Sequence, residues 1–247
     1  MTHKISVVII TKNSQDYIEK CLQSVMWADE IVIVDDYSKD DTVKIAQKFN
    51  VKIYTHKWQG FANQKNYAIS KTTNKWVLSI DSDELVDDQL KENILHLNPK
   101  KYDGFYIARK NFIGKTWIKH SGFYPDWQLR FFQNHLRFEN LPVHEQVKAK
   151  KVSKISGHIV HLTYRNHREY LKKVKKYSKL DALVLFNKSR RYSLLYQYLK
   201  PVKEFLDRLI LKKGILDGYN GLVIALYSSY SKYLAAKHLK KLYENSN

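Results

Sequence analysis

With one cysteine, Cys21, the chain has no internal disulfide available, so the fold must close on its own core and a reducing compartment is the economical setting. Four prolines and eight glycines in 247 residues exclude a collagenous or Pro/Gly-rich disordered chain. Long charge-free apolar runs are also missing: the best window, 221–236, is broken by Ser228, Ser229, Ser231 and Lys232. Any membrane contact is therefore expected to be peripheral. Residues 5–10 are apolar but carry almost no basic flank before them and no small-residue cleavage site behind, so a cytoplasmic location is expected. Acids are scarce as well, 24 against 43 Lys and Arg, a net charge of +19 that asks for an anionic partner. The excess is uneven, +4 over residues 1–150 and +15 over 151–247.

What is present is a folded composition, 44% hydrophobic and 13% aromatic, long enough for a sizeable core. Short β-branched runs at 5–10, 31–34, 51–54 and 76–80 alternate with helical patterns, the mark of βαβ units and a mainly parallel sheet. Asn13 or Ser14 is expected to cap a helix through Tyr17, Ile18, Cys21, Leu22 and Val25, and Ser38, Asp40 and Asp41 to cap another. From 102 to 160 the pattern turns aromatic and irregular, with strand-like pieces at 104–108, 127–132 and 157–161 expected to form an antiparallel edge. Beyond Thr163 it is helical: a lysine-rich amphipathic stretch with Leu171, Val174 and Tyr177, then helices over 201–212 and 221–242.

Ligands of an open parallel sheet bind at the carboxyl ends of its strands. Two acid clusters fall there, Asp35-Asp36 after the second strand and Asp81-Ser82-Asp83-Glu84 after the fourth. Acids packed so closely repel one another unless a cation lies among them, and Mg²⁺ or Mn²⁺ shared with substrate phosphates is the natural neutraliser. Helix capping is the plain alternative, equally good for Asp35 and poorer for Asp83. A receiver domain carries its acid pair after the first strand, which here ends in Thr11-Lys12-Asn13. A haloacid-dehalogenase-like phosphatase using Asp81 and Asp83 needs a second acid pair downstream, and none stands adjacent. Sugar transfer from a nucleotide diphosphate is the third chemistry.

The segments ISVVIITKN (5–13), IVIVDDYSKDDT (31–42), GFANQKNYA (60–68) and LSIDSDE (78–84) stand in the order and spacing of the inverting family 2 glycosyltransferases, which the chain resembles. YPDWQLRFF (124–132), VHE (143–145) and DGYNG (217–221) extend the resemblance to the subgroup that adds a sugar, often glucose, to the inner core of lipopolysaccharide or lipooligosaccharide. It implies a GT-A-type α/β nucleotide-sugar fold over 1–162, with a nucleotide-binding half (1–100), an acceptor half (101–162) and a basic helical extension (163–247).

It also implies a UDP-sugar donor, with Thr11, Asn13 and Asp36 around uracil and ribose, Asp81 near the ribose, and Asp83 on a metal bridging the phosphates. Lys65 stands where many relatives carry arginine; it keeps a cation for the diphosphate but loses the bidentate fork. Arg130 is a further candidate for the diphosphate or an acceptor phosphate. Glu145 is the expected base and Asp126 its rival, with His144 a structural or phosphate-side neighbour; Tyr124 and Trp127 suit either a sugar face or the core. A non-catalytic nucleotide-sugar binder is the second class, since binding residues can survive without a competent base. The basic tail, with Leu206, Leu209 and Ile210 among its apolar residues, fits an anionic glycolipid acceptor at the cytoplasmic membrane surface. Nucleic acid is not expected, because no recognition helix, zinc spacing or RNA-binding aromatic signature occurs.

Overall fold

A computed structural model describes residues 3–139, 145–189 and 192–245. The expected alternation is realised as β1 (Ile5–Thr11), α1 (Ile18–Val25), β2 (Glu30–Asp35), α2 (Thr42–Ala46), β3 (Lys52–Thr55), α3 (Phe61–Ser70) and β4 (Trp76–Asp81). β1 and β2 are buried along their whole length, as parallel strands covered on both faces must be. β1 lies between β2 and β4, parallel to both, with Thr11 opposite Asp35 and Ile10 opposite Asp81. Because a one-residue slip would turn every buried side chain outward, this register is fixed by the apolar pattern. It brings the two acid clusters to one level.

The next elements are β5 (Glu84–Val86), α4 (Asp88–Leu95), β6 (Gly104–Ile113), β7 (Thr116–Trp117), β8 (Asp126–Gln133) and β9 (Val152–Tyr164). The strand order is β3-β2-β1-β4-β8-β6-β9-β5, with β7 on β6. The strand-like pieces do not form an edge: β8 runs antiparallel beside β4, Leu78 opposite Phe131, in the middle of the sheet. The physical reason is aromatic packing, since Trp76, Phe105 and Phe131 stack into one core layer with ring centroids 5.0–5.9 Å apart. α4 carries its own start signal, the Asp87 carboxylate accepting the Leu90 N–H at 2.8 Å. The same carboxylate accepts the His158 N–H at 2.9 Å and so ties β9 to the helix. Gly157 between them sits at φ +98°, where a Cβ would lie 2.3 Å from the Leu90 nitrogen.

Two capping expectations need correction. α1 begins at Ile18 with Tyr17 at its N-cap and no side-chain cap bond, because the Asn13 side chain accepts the Lys39 N–H in the loop after β2 and the Ser14 hydroxyl bonds the Lys12 carbonyl and Ser82. Of the acids before α2, Asp40 holds the Thr42 N–H and hydroxyl, whereas Asp41 occupies the N-cap position without a side-chain bond.

The chain divides into two compact units, one of Met1–Arg109 with Trp127–His161 and one of Lys110–Asp126 with Leu162–Asn247. The second contains α5 (His167–Asn187), α6 (Leu194–Leu206), a π-helical turn (Asp207–Leu211), a 3₁₀ turn (Gly214–Asp217) and α7 (Gly218–Glu244). α6 starts seven residues before the position expected from Pro201. Ser193 caps it by accepting the Tyr196 N–H at 3.0 Å, and Pro201 forgoes one bond inside the helix. Ile113, Ile118, Tyr170, Val174 and Ile224 form this unit's core. The DGYNG segment serves it directly: Asp217 accepts the backbone N–H groups of Lys119 and His120 at 3.1 and 2.9 Å, and Gly221 lies so close to the Gly214 carbonyl that no side chain fits.

Candidate functional site

At the carboxyl end of β1 the Thr11 hydroxyl is buried without a hydrogen-bond partner among the described residues, and the Thr11 carbonyl accepts the Asp36 N–H at 3.0 Å. The Asp36 carboxylate is bonded by Lys12 Nζ at 2.5 Å and the Trp58 N–H at 3.0 Å, and the Lys12 bond lowers its pKa. Asp35 points elsewhere, into the turn, where the Ser38 N–H and hydroxyl donate to it at 2.8 and 2.5 Å. Asn13, exposed at φ +50°, accepts the Lys39 N–H at 2.9 Å. Thr11 and Asp36 thus stand together at one strand end, and Asn13 shapes the loop beside them.

The second cluster is a charge network. Lys65 reaches from α3 with a side chain only 2% exposed, placing Nζ 3.0 Å from Asp81 Oδ1 and 2.8 Å from Glu145 Oε1, over the Phe138 ring. Arg130 on β8 donates through Nη2 to Asp81 at 3.1 Å and Glu84 at 3.2 Å. Its Nε and Nη1 are buried with no partner among the described residues, two donors set for an anion. Burial alone would raise the Asp81 pKa, but the Lys65 ammonium and then the Arg130 guanidinium outweigh it and hold the carboxyl far below its usual range. A folded-state pKa below the unfolded one adds stability that is fully present above about pH 4 and lost as pH falls. In Asp81→Asn the free energy of unfolding should therefore fall less steeply between about pH 4 and pH 2, by up to about 1.4 kcal/mol per pH unit. Urea titrations of both proteins across that window check it; identical slopes would refute the assignment.

Lys65, Trp127, Arg130, Phe138 and Glu145 line a cavity of about 130 Å³. Trp127 presents its ring at the rim with Lys154 Nζ 4.4 Å above it, whereas Tyr124, in the second unit, packs edge-on against Trp117. Asp126 also belongs to the second unit, where Asn111 donates to it at 3.4 Å. His144 lies outside the described residues.

Asp83 is half-buried, its carboxylate 3.6 Å from His161 Nε2. The antiparallel pairing of β5 with β9 sets Glu84 opposite His161, so Asp83 and His161, 78 positions apart in the chain, meet at this corner. A carboxylate oxygen and an imidazole nitrogen suit Mn²⁺ and related divalent ions. Among the described residues no third His, Cys, Asp or Glu converges on them.

Sequence reasoning missed three members of this site. Glu84 was grouped with the acids, yet it is fully buried as an anchor: Arg109 donates to it at 3.0 Å, and so does the Asp81 N–H at 2.9 Å. Arg109 carries no signal apart from its place on an alternating strand. His161 was visible only through strand register.

Residues 6–154 match the model described as glycosyl transferase family 2. An uncharacterised glycosyltransferase of Rickettsia conorii is 38% identical over 44% of this chain and 39% of its own length. The lipopolysaccharide core biosynthesis glycosyltransferase LpsC of Rhizobium meliloti is 31% identical over 44% of this chain and 43% of its own. Each of these alignments thus spans about two-fifths of the relative's length. Among solved structures, Staphylococcus aureus TarS 1–349 in complex with UDP-GlcNAc superposes with a TM-score of 0.53 at 18% identity, over 99% of this chain and 92% of that one. The mannosyltransferase PcManGT from Pyrobaculum calidifontis, in complex with GDP-Man and Mn²⁺, gives 0.55 at 12% identity, over 99% and 88%. At these identities the likeness is one of fold, and the fold is of the GT-A type.

Proposed function

The chain belongs to glycosyl transferase family 2, and from that membership we propose that it is a metal-dependent inverting transferase moving a hexose, glucose foremost, from a UDP-sugar to a lipopolysaccharide or lipooligosaccharide core acceptor. The observation that carries this reading is the meeting of Asp81, Lys65, Arg130 and Glu145 at the carboxyl end of β4, beside a cavity lined by Lys65, Arg130 and Glu145, with Asp83 two residues further along the chain. The LpsC relative supports the acceptor class, and the UDP-GlcNAc complex of the TarS neighbour supports the donor class.

Thr11 and Asp36 receive the nucleoside end, the buried Thr11 hydroxyl gaining the partner it otherwise lacks. Lys65 and the spare Arg130 donors face the diphosphate. Asp83 and His161 would hold a divalent ion, which when bound would supply positive charge near the leaving diphosphate as negative charge develops there. The acceptor hydroxyl oxygen bonds to the anomeric carbon while the bond from that carbon to the phosphate oxygen breaks, its electron pair leaving with UDP. Glu145 takes the hydroxyl proton. Attack from the face opposite the leaving group inverts the anomeric centre.

Thermal unfolding with UDP and MnCl₂ tests the donor and metal assignment. At ligand 100-fold above Kd the wild type should gain about 2.7 kcal/mol, a Tm rise of about 5–11 °C. Asp83→Asn should lose the manganese-dependent part of that rise. A wild type that UDP does not stabilise, with or without metal, overturns the proposal.

A further inference from the structure

α6 has its amphipathicity reversed. Its buried positions are Gln197, 7% exposed, and Pro201, while Leu194, Leu195, Tyr198, Leu199, Val202 and Leu206 stand in solvent, Leu195 at 69%. The exposed apolar surface continues through Leu211 of the π-helical turn (76%), Ile215 of the 3₁₀ turn (68%) and Tyr219 at the start of α7. A water-facing helix ordinarily turns its leucines inward, and a run of exposed apolar side chains of this extent marks a contact surface. No helix among the described residues is long and apolar enough to cross a membrane.

The charges around the patch select its occupant. Two of its acids are paired with cations of the same unit, Glu204 with Arg208 at 2.9 Å and Asp207 with Lys212 at 2.7 Å, and Asp217 is turned inward onto the Lys119 and His120 N–H groups. Lys200, Lys203 and Lys213 add positive charge along the same segment. Leucines and tyrosines flanked by lysines, with these acids turned to partners of their own, form the composition of an interfacial anchor for an anionic bilayer.

We propose that α6 and the two turns after it form the membrane-docking edge of this protein, inserting Leu195, Leu199, Leu211 and Ile215 into an anionic lipid surface. The inference deepens the reading that the acceptor is a membrane-held glycolipid and rests on it for the class of partner. It also moves the anchor away from the lysine-rich α5, the obvious choice from sequence. On α5 Tyr170 and Val174 are buried in the unit's own core, and its exposed apolar side chains, Tyr177, Leu180 and Leu183, stand out less (38–44%) than Leu195, Leu199 and Leu211 (56–76%).

Flotation of the whole chain with vesicles of phosphatidylglycerol and phosphatidylcholine tests this. The wild type should float with the mixed vesicles and not with phosphatidylcholine alone. The triple variant Leu195→Glu/Leu199→Glu/Leu211→Glu should bind at least about a hundredfold more weakly, because a buried leucine side chain alone is worth tenfold or more. Replacing Lys172, Lys173, Lys175 and Lys176 by Gln should weaken binding less. Ile215→Cys labelled with an environment-sensitive dye reports insertion directly, since Cys21 is buried, and its emission should shift to the blue on the anionic vesicles. If the triple variant floats like the wild type, the docking edge is wrong while membrane association stands. If the wild type does not float, both fail. A wild-type dimer that the triple variant dissociates, without flotation, would assign the patch to a second copy of the chain and overturn the proposal.

Discussion

Glu145→Gln is expected to lower kcat for sugar transfer by about 10²–10⁴ while donor affinity stays near that of the wild type. The amide keeps the size of the side chain and can still accept a hydrogen bond from Lys65, whose second partner, Asp81, remains 3.0 Å away. The fold and the Lys65 cation should therefore persist. Under the proposed assignment, what disappears is the destination for the acceptor's proton. Rates with an excess of UDP-sugar, set beside UDP binding by calorimetry, separate the two effects: a loss confined to kcat fits a group acting on the reacting hydroxyl, whereas a loss of UDP affinity would make Glu145 a support for Lys65. If Glu145→Gln turns over normally and Asp126→Asn does not, the base is Asp126.

Glu84→Leu should be the most damaging single change to stability, about 3–5 kcal/mol, or about 6–20 °C in Tm. Its carboxylate is fully buried between the guanidinium groups of Arg109 and Arg130 and also accepts the Asp81 N–H. Leucine fills similar space but leaves Arg109 without that partner, Arg130 with Asp81 alone, and a backbone donor unpaired. Glu84→Gln, which retains an acceptor without the charge, should fall between the two. A melting temperature for Glu84→Leu within about 2 °C of wild type would show that the network carries little of the fold's stability.

The strand ends were legible because period-two and continuous β-branched runs have few alternatives in a parallel sheet, and because acids directly after such runs can only sit at its carboxyl edge. Asp36, Asp81 and Asp83 were found that way. Capping was less legible: Asn13 and Ser14 are good cap residues, but Asn13 bonds Lys39 after β2 and Ser14 reaches Ser82 after β4, so local propensity named the residues and not their partners. α6 shows the same limit, its start set by Ser193 rather than by Pro201.

By itself, then, the chain's pattern determined the α/β class, the edge of the sheet where chemistry belongs and the basic bias of the C-terminal region, all of which follow from local periodicity and charge. Tertiary structure alone decided that β8 enters beside β4, that Lys65 bridges Asp81 and Glu145, that His161 faces Asp83, and that α6 turns its leucines outward. Each of these joins or separates residues through strand order or helix rotation. Such contacts are fixed by how whole elements pack, and a packing choice leaves little trace in the spacing of residues along one strand or helix.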